Sequence, residues 1–178
     1  MSRPLIDLGE GLEVRFLETS DAEALQDVIE PNRQRLSARM PWAEGSTLDT
    51  TRAFIESGGS GENLDAIGIF LACELVGTIG LRPAPMSRDA EMGYWISAHA
   101  EGQGLVTRAA QALVGYAFEQ LGCHRVTIRA APDNARSRAI PERLGFTREG
   151  VMREAGWASP GYHDLVVYGL LESEWPRP

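Results

Sequence analysis

The stretch that most limits what this chain can become runs from residue 91 to residue 122. EMGYWIS (91–97) is β-rich, HAEGQG (99–104) holds Gly102 and Gly104, and Leu105, Ala109, Ala112, Leu113, Tyr116 and Leu121 then recur at helical spacing until Gly122. A β-rich run that turns at glycines into an apolar-striped helix reads as strand, loop and helix, and the stripe requires a sheet to cover it. A second constraint lies upstream. AIGIFLAC (66–73) and LVGTIGLR (75–82) have almost nothing between them, so they pair as an antiparallel hairpin.

The remaining segments fill in around these. LEVRFLE (12–18) alternates apolar and polar residues, and HRVTIRA (124–130), FTREGVMR (146–153) and YHDLVVYGLL (162–171) are further extended runs. Thr19-Ser20-Asp21 offers N-caps to a helix whose face is Ala22, Leu25, Val28 and Ile29, interrupted at Pro31. NRQRLSARM (32–40) is a second helical stretch running into Pro41-Trp42. LDTTRAFIES (48–57) is a third, ended by the breaker GGSGEN (58–63). Pro83 and Pro85 close the second strand of the hairpin. Asp133-Asn134 can cap a short helix that Leu144-Gly145 ends, although Pro141 interrupts its pattern. The expected order is β-α-α-β-β-β-α-β-α-β-β, an α/β domain with a mixed, mostly antiparallel sheet of about seven strands. With 178 residues, 43% of them hydrophobic, and no long linker, residues 1–178 are expected to form one domain.

Charge narrows the function. Charged residues make up 24% of the chain, and no apolar run approaches the ~20 residues of a membrane helix. The segment MSRPLIDLGEG lacks an apolar signal core, so a cytoplasmic protein with no membrane partner is expected. Cys73 and Cys123, and the scattered His99, His124 and His163, lack metal-ligand spacing, and no metal is expected. A net charge of −8 suits a broad polyanion poorly, which argues against nucleic acid and favours cationic partners such as amines. A small anion can still bind where local dipoles override the net charge.

The glycine loop is such a place. A helix N-terminus leaves backbone N–H groups unpaired and carries about half a positive charge. Gly102 and Gly104 remove Cβ atoms and permit positive φ, so the loop is a credible pyrophosphate cradle. A turn that only reverses the chain has the same composition. Two specific phosphate motifs fail: no Lys follows as a P-loop needs, and Thr107 stands where a Rossmann fingerprint has its third glycine.

The segment from Glu91 through Leu144 resembles the GNAT superfamily of acyl-CoA-dependent N-acetyltransferases. That family's Gln/Arg-x-x-Gly-x-Gly/Ala loop aligns with Glu101 to Val106, matching at its central Gly104 and departing at both ends. NRQRLSARMPW, TRAFI, LVGTIGL, AEMGYWIS, GLVTRAA, NARSRAIPERLGFTREG and HDLVVYGLL together are similar to the RimL/RimJ branch, the ribosomal-protein-serine and -alanine N-acetyltransferases. The resemblance implies the GNAT fold, acetyl-CoA as cofactor and CoA as product. The backbone of Gly102, Gln103, Gly104, Leu105, Val106 and Thr107 would hold the pyrophosphate, and Tyr94, Trp95 and Ile96 would pair with the pantetheine amides. Asn134 would bond the cofactor arm, with Ser137 a proton donor to the leaving thiolate; helix capping is the alternative reading of both residues. Asn32, Arg33 and Trp42 would line the acceptor groove, or simply form a polar helix and an aromatic turn. Arg136, Arg138 and Arg143 would either meet the cofactor's phosphates or be solvated.

Acetyl transfer needs a neutral amine. An α-amino group is already neutral to roughly a tenth at pH 7, a lysine to only about four parts in ten thousand. A protein N-terminus is therefore the acceptor that asks least of a base. The branch often carries a Glu where Gly156 stands, which leaves Glu91 as the favoured base and Glu154 as the alternative, since a continuing strand would turn Glu154 to the same face as position 156. Either carboxylate also reads as plain surface charge, and Tyr162 and His163 as amine-channel residues or ordinary strand packing. The rival functions are a small-amine acetyltransferase and a non-catalytic acyl-CoA-binding module. The ribosomal relatives are often dimers, so a homodimer is an expectation of the resemblance alone. Glu101, beside a diphosphate, would be repulsive unless its side chain points to solvent or pairs with an arginine such as Arg108.

Overall fold

The computed structural model describes residues 5–58, 64–84, 86–158 and 161–176. The breaker at 59–63, Pro85 and the first four residues lie outside the described residues. The elements run β1 (Leu5–Asp7), β2 (Leu12–Phe16), α1 (Ala22–Ser37), α2 (Leu48–Gly58), β3 (Leu64–Leu71), β4 (Glu74–Ala84), β5 (Asp89–Ile96), α3 (Leu105–Glu119), β6 (Arg125–Ala130), α4 (Ala135–Arg143), β7 (Thr147–Ala158) and β8 (Gly161–Leu171). The eight strands form one sheet in the order β1-β2-β3-β4-β5-β6-β8-β7. Every neighbouring pair is antiparallel except β5 and β6. The sheet thus has one strand more than the seven expected, because β1 is too short to show a period-2 pattern and is recognisable only by its ladder to β2.

Helices cover both faces. Residues of α3 and α4 pack with β2, β4, β5, β6 and β8 into one core, and α1 and α2 pack with Leu17, Phe70, Leu75 and Trp95 into another on the opposite face. The buried stripe of α3 is Leu105, Val106, Ala109, Ala110, Leu113, Val114, Ala117 and Phe118. It is rotated from the expected face, with Val114 and Phe118 inside, and Leu121 lies past the helix end and is exposed.

Pro31 does not end α1, which continues to Ser37. An interior proline costs about 3 kcal/mol, and burying Ile29 and Leu36 on either side of it returns about 1.5–3 kcal/mol each. NRQRLSARM is therefore the second half of α1 rather than a separate helix. Pro141 likewise stays inside α4.

Candidate active site

The site originates in a strand that loses one of its two partners. β5 pairs with β4 from Asp89 to Ile96 but with β6 only from Asp89 to Met92. Beyond Met92 the parallel strands separate, and Tyr94–Ile96 present one edge of backbone N–H and C=O groups with no strand partner among the described residues. An unpaired edge inside a sheet is a template for an extended ligand carrying amides. The gap is spanned by side chains. The Tyr94 hydroxyl donates to the Ser137 carbonyl at 3.0 Å and accepts from the Ser137 hydroxyl at 3.3 Å. Ser137 N–H donates to Asn134 Oδ1 at 3.2 Å, so Asn134 caps α4. Burial pushes the Tyr94 phenol up to about 12, against a smaller opposing effect of its bond to Ser137, and keeps it a neutral hydrogen-bonding group.

β5 leads through a short turn at Ala98–Ala100 into the glycine loop and α3. Gly102 and Gly104 have φ of 78° and 75°, the left-handed region in which side chains are disfavoured. From Gly102 to Thr107 no backbone N–H finds an acceptor among the described residues; the first helical bond runs from Arg108 N–H to the Gly104 carbonyl. A row of unsatisfied donors at the positive end of a 15-residue helix is an anion site.

Two helices brace that loop. Asn32 of α1 is buried, and its Oδ1 accepts from the Ala98 N–H at 2.9 Å and from Arg35 at 3.0 Å. Arg35 also reaches the Ile96 carbonyl and one oxygen of Glu101, the latter at 2.7 Å. The other Glu101 oxygen binds Arg136 of α4. Glu101 is thus paired, but not with Arg108, which instead holds Glu10 at 2.8 Å and the Gly9 carbonyl at 3.1 Å. Arg138 turns inward, to Tyr168 at 3.0 Å and the Pro132 carbonyl at 2.9 Å.

Alongside β5, on the face covered by α1 and α2, lies a cavity of about 770 Å³. Its apolar wall includes Trp42, tilted against Trp95 with ring centroids 6.0 Å apart. Tyr94, Asn134, Ser137 and His163 also line it. Three arginines stand in the wall, each with a carboxylate: Arg39 with Asp133, Arg82 with Asp65 at 3.0 Å, and Arg129 with Glu91. The Arg39 hydrogen bonds hold the Asp133 carboxyl below its ordinary range. These arginines carry no local signal in the sequence, since they converge from the segment just past α1, from β4 and from β6. Arg35 carried no signal either, because its partners lie 61 and 66 residues away.

Several expected site residues have other tasks. Asn32 holds the start of the glycine turn and does not line the cavity. Arg33 donates to the carbonyls of Ala43, Glu44 and Ser46 and fastens the turn after α1. Glu91 meets the cavity only through Arg129. Glu154 is exposed, because β7 does not continue regularly: its register to β8 shifts between Met152 and Gly156, with Glu154 at φ 51° and its N–H on Asp164 Oδ1 at 2.9 Å. The alternation that would align Glu154 with position 156 is broken by this bulge. Gly156 itself is the cross-strand partner of His163, and a Cβ there would lie 2.3 Å from the imidazole Nε2. The histidine ring fills the space that a side chain at 156 would occupy.

Splayed parallel strands, a glycine-flanked helix N-terminus and a cavity across the strand between them are the anatomy of an acyl transferase that carries its donor on a phosphorylated arm. The acetyltransferase (GNAT) domain model matches residues 12–147, and the chain belongs to that family and is an acetyltransferase. It is 41% identical over 174 residues to YdaF of Bacillus subtilis (strain 168), provisionally named a ribosomal N-acetyltransferase, with 94% of this chain and 95% of that protein covered. It is 28% identical over 172 residues to the ribosomal-protein-serine acetyltransferase of Escherichia coli (strain K12), covering 93% and 96% of the two chains. Among solved structures, the RimL ribosomal L7/L12 alpha-N-protein acetyltransferase in complex with coenzyme A superposes with a TM-score of 0.88 at 25% identity, over 96% of this chain and 99% of that one.

Proposed function

We propose that this enzyme moves an acetyl group from acetyl-CoA to the α-amino group of a protein N-terminus. The observation that carries the reading is the run of unpaired N–H groups from Gly102 to Thr107 next to the open edge of Tyr94–Ile96. The first suits a pyrophosphate and the second a chain of pantetheine amides. The acyl end would then reach the cavity wall at Ser137 and Tyr94, whose hydroxyls suit delivery of a proton to the departing thiolate. Asn134 supports that wall from the α4 cap.

The acceptor reading rests on the chemistry of the amine and on the relatives, which are named as ribosomal protein acetyltransferases. A 770 Å³ cavity with Trp42 in its apolar wall has room for the first residues of a peptide. Glu91 serves by fixing Arg129 in that wall. No helix among the described residues is long and apolar enough to cross a membrane, and we assign the work to the cytoplasm, where acetyl-CoA and nascent proteins meet. The test is CoA release with acetyl-CoA and peptides beginning with Ser or Ala, beside a panel of amino acids, polyamines and aminoglycosides. Turnover at least tenfold faster on the peptides is expected; turnover confined to the small amines would overturn the acceptor.

A further inference from the structure

The cavity described above has one ionisable group that is neither a guanidinium, nor bound to one, nor locked as a neutral phenol. Asp65 is held by Arg82, and Tyr94 is engaged with Ser137. His163 alone has no hydrogen bond or ion pair to any described residue, yet its ring lies on the cavity wall. Its position is built into the β7–β8 ladder. Gly156 pairs with His163 across the strands, and only the absence of a Cβ at 156 lets the imidazole lie flat across that strand. A side chain with an open lone pair, kept in a substrate cavity by a glycine beneath it, has the requirements of a proton acceptor.

We infer that His163 is the catalytic base of this enzyme, taking the proton from the acceptor's ammonium group. The inference rests on the proposed use of the cavity as the acceptor site. The imidazole accepts one proton from R–NH3+, and the freed lone pair forms the N–C bond to the thioester carbonyl carbon. The C–S bond breaks with its electron pair on sulfur. The Ser137 hydroxyl protonates the thiolate and is itself reprotonated by the second proton leaving the nitrogen, so that CoA departs as the thiol, and His163 returns its own proton to water.

The charges around His163 are Asp133 before α4, whose carboxylate feels the imidazole and is shared with Arg39 just past the end of α1, Arg129 on β6, and Asp164 and Glu154 on β8 and β7. Asp164 accepts the Glu154 N–H at 2.9 Å.

The experiment measures kcat/KM against pH for the wild type, His163→Gln and Gly156→Ala, with acetyl-CoA affinity followed by calorimetry. His163→Gln should lower kcat/KM about 10- to 100-fold at pH 6.5 to 7, with a gap that closes to within about threefold near pH 9, where the amine is neutral on its own. Gly156→Ala keeps the imidazole but pushes it aside, and should lower kcat at least threefold with cofactor affinity unchanged. A His163→Gln profile parallel to the wild type, or full activity in Gly156→Ala, would overturn the assignment. No wild-type turnover on any amine would overturn the acceptor reading and this assignment together.

Discussion

Gly104 and Gly122 offer a matched pair of perturbations. Gly104 stands at the N-terminus of α3 with φ 75°, Gly122 just past its C-terminus with φ 62°, and a Cβ at either would meet nothing within 4 Å. Alanine in the left-handed region costs about 1–2 kcal/mol, offset by about 0.4–1 kcal/mol from a stiffer unfolded chain. Each Gly→Ala variant should therefore lose about 1 kcal/mol, or about 2–4 °C in Tm for a chain of this size. Their effects on CoA binding should differ sharply. At Gly104 the methyl stands among N–H groups meant for phosphate oxygens, and losing one charge-assisted hydrogen bond is worth about 1.5–3 kcal/mol, or about 10- to 100-fold in Kd. Calorimetry with CoA should show that loss for Gly104→Ala and an unchanged Kd for Gly122→Ala. Equal CoA affinities in the two variants, with equal melting temperatures, would refute the placement of the pyrophosphate at this helix.

Asp21→Asn removes a two-pronged ion pair in which Arg15 reaches both Asp21 oxygens at 2.8 Å and lies 4.0 Å over the Phe70 ring. The Arg15 hydrogen bonds hold Asp21 below its ordinary 3.8, so its stabilisation is present above that pH and is lost as pH falls through the lower folded value. Denaturant melts should show Asp21→Asn less stable by about 1–3 kcal/mol at pH 7, with the difference shrinking progressively as pH falls below 3.8; a pH-independent difference would count against the ion pair. Glu101→Gln removes a negative charge from the glycine loop while keeping one oxygen to accept from Arg35 or Arg136. It should tighten CoA binding about threefold in low salt and less at 0.5 M salt, whereas weaker binding would mean that Glu101 acts mainly as the loop's anchor.

What the chain announces, and what it hides, follows from the range of the interactions involved. The β3–β4 hairpin is visible because both strands are dense in β-formers, and Ala72 and Cys73 turn the chain with φ of 49° and 68° without needing glycine. The strand–loop–helix around Gly102 and Gly104 is visible because the glycines, the apolar stripe and the helix start are all local. Pro31 misleads because a local penalty is offset by burial against β-strands far along the chain. The bulge at Glu154 misleads for the same reason, since it depends on an Asp164 carboxylate from the next strand. The arginine–carboxylate pairs of the cavity escape notice because their partners are between 17 and 94 residues apart. Gly156 and His163 are legible as an absence and a lone histidine, and only the β7–β8 register joins them into one feature.

The nitrogen that receives the acetyl group identifies the acceptor. Incubation with acetyl-CoA and a peptide beginning with Ser, followed by tandem mass spectrometry, should show one acetyl group on the first residue's α-nitrogen, and none when that nitrogen is blocked beforehand. Acetyl on an internal lysine with a free N-terminus left untouched, or no transfer while CoA binds, would contradict it.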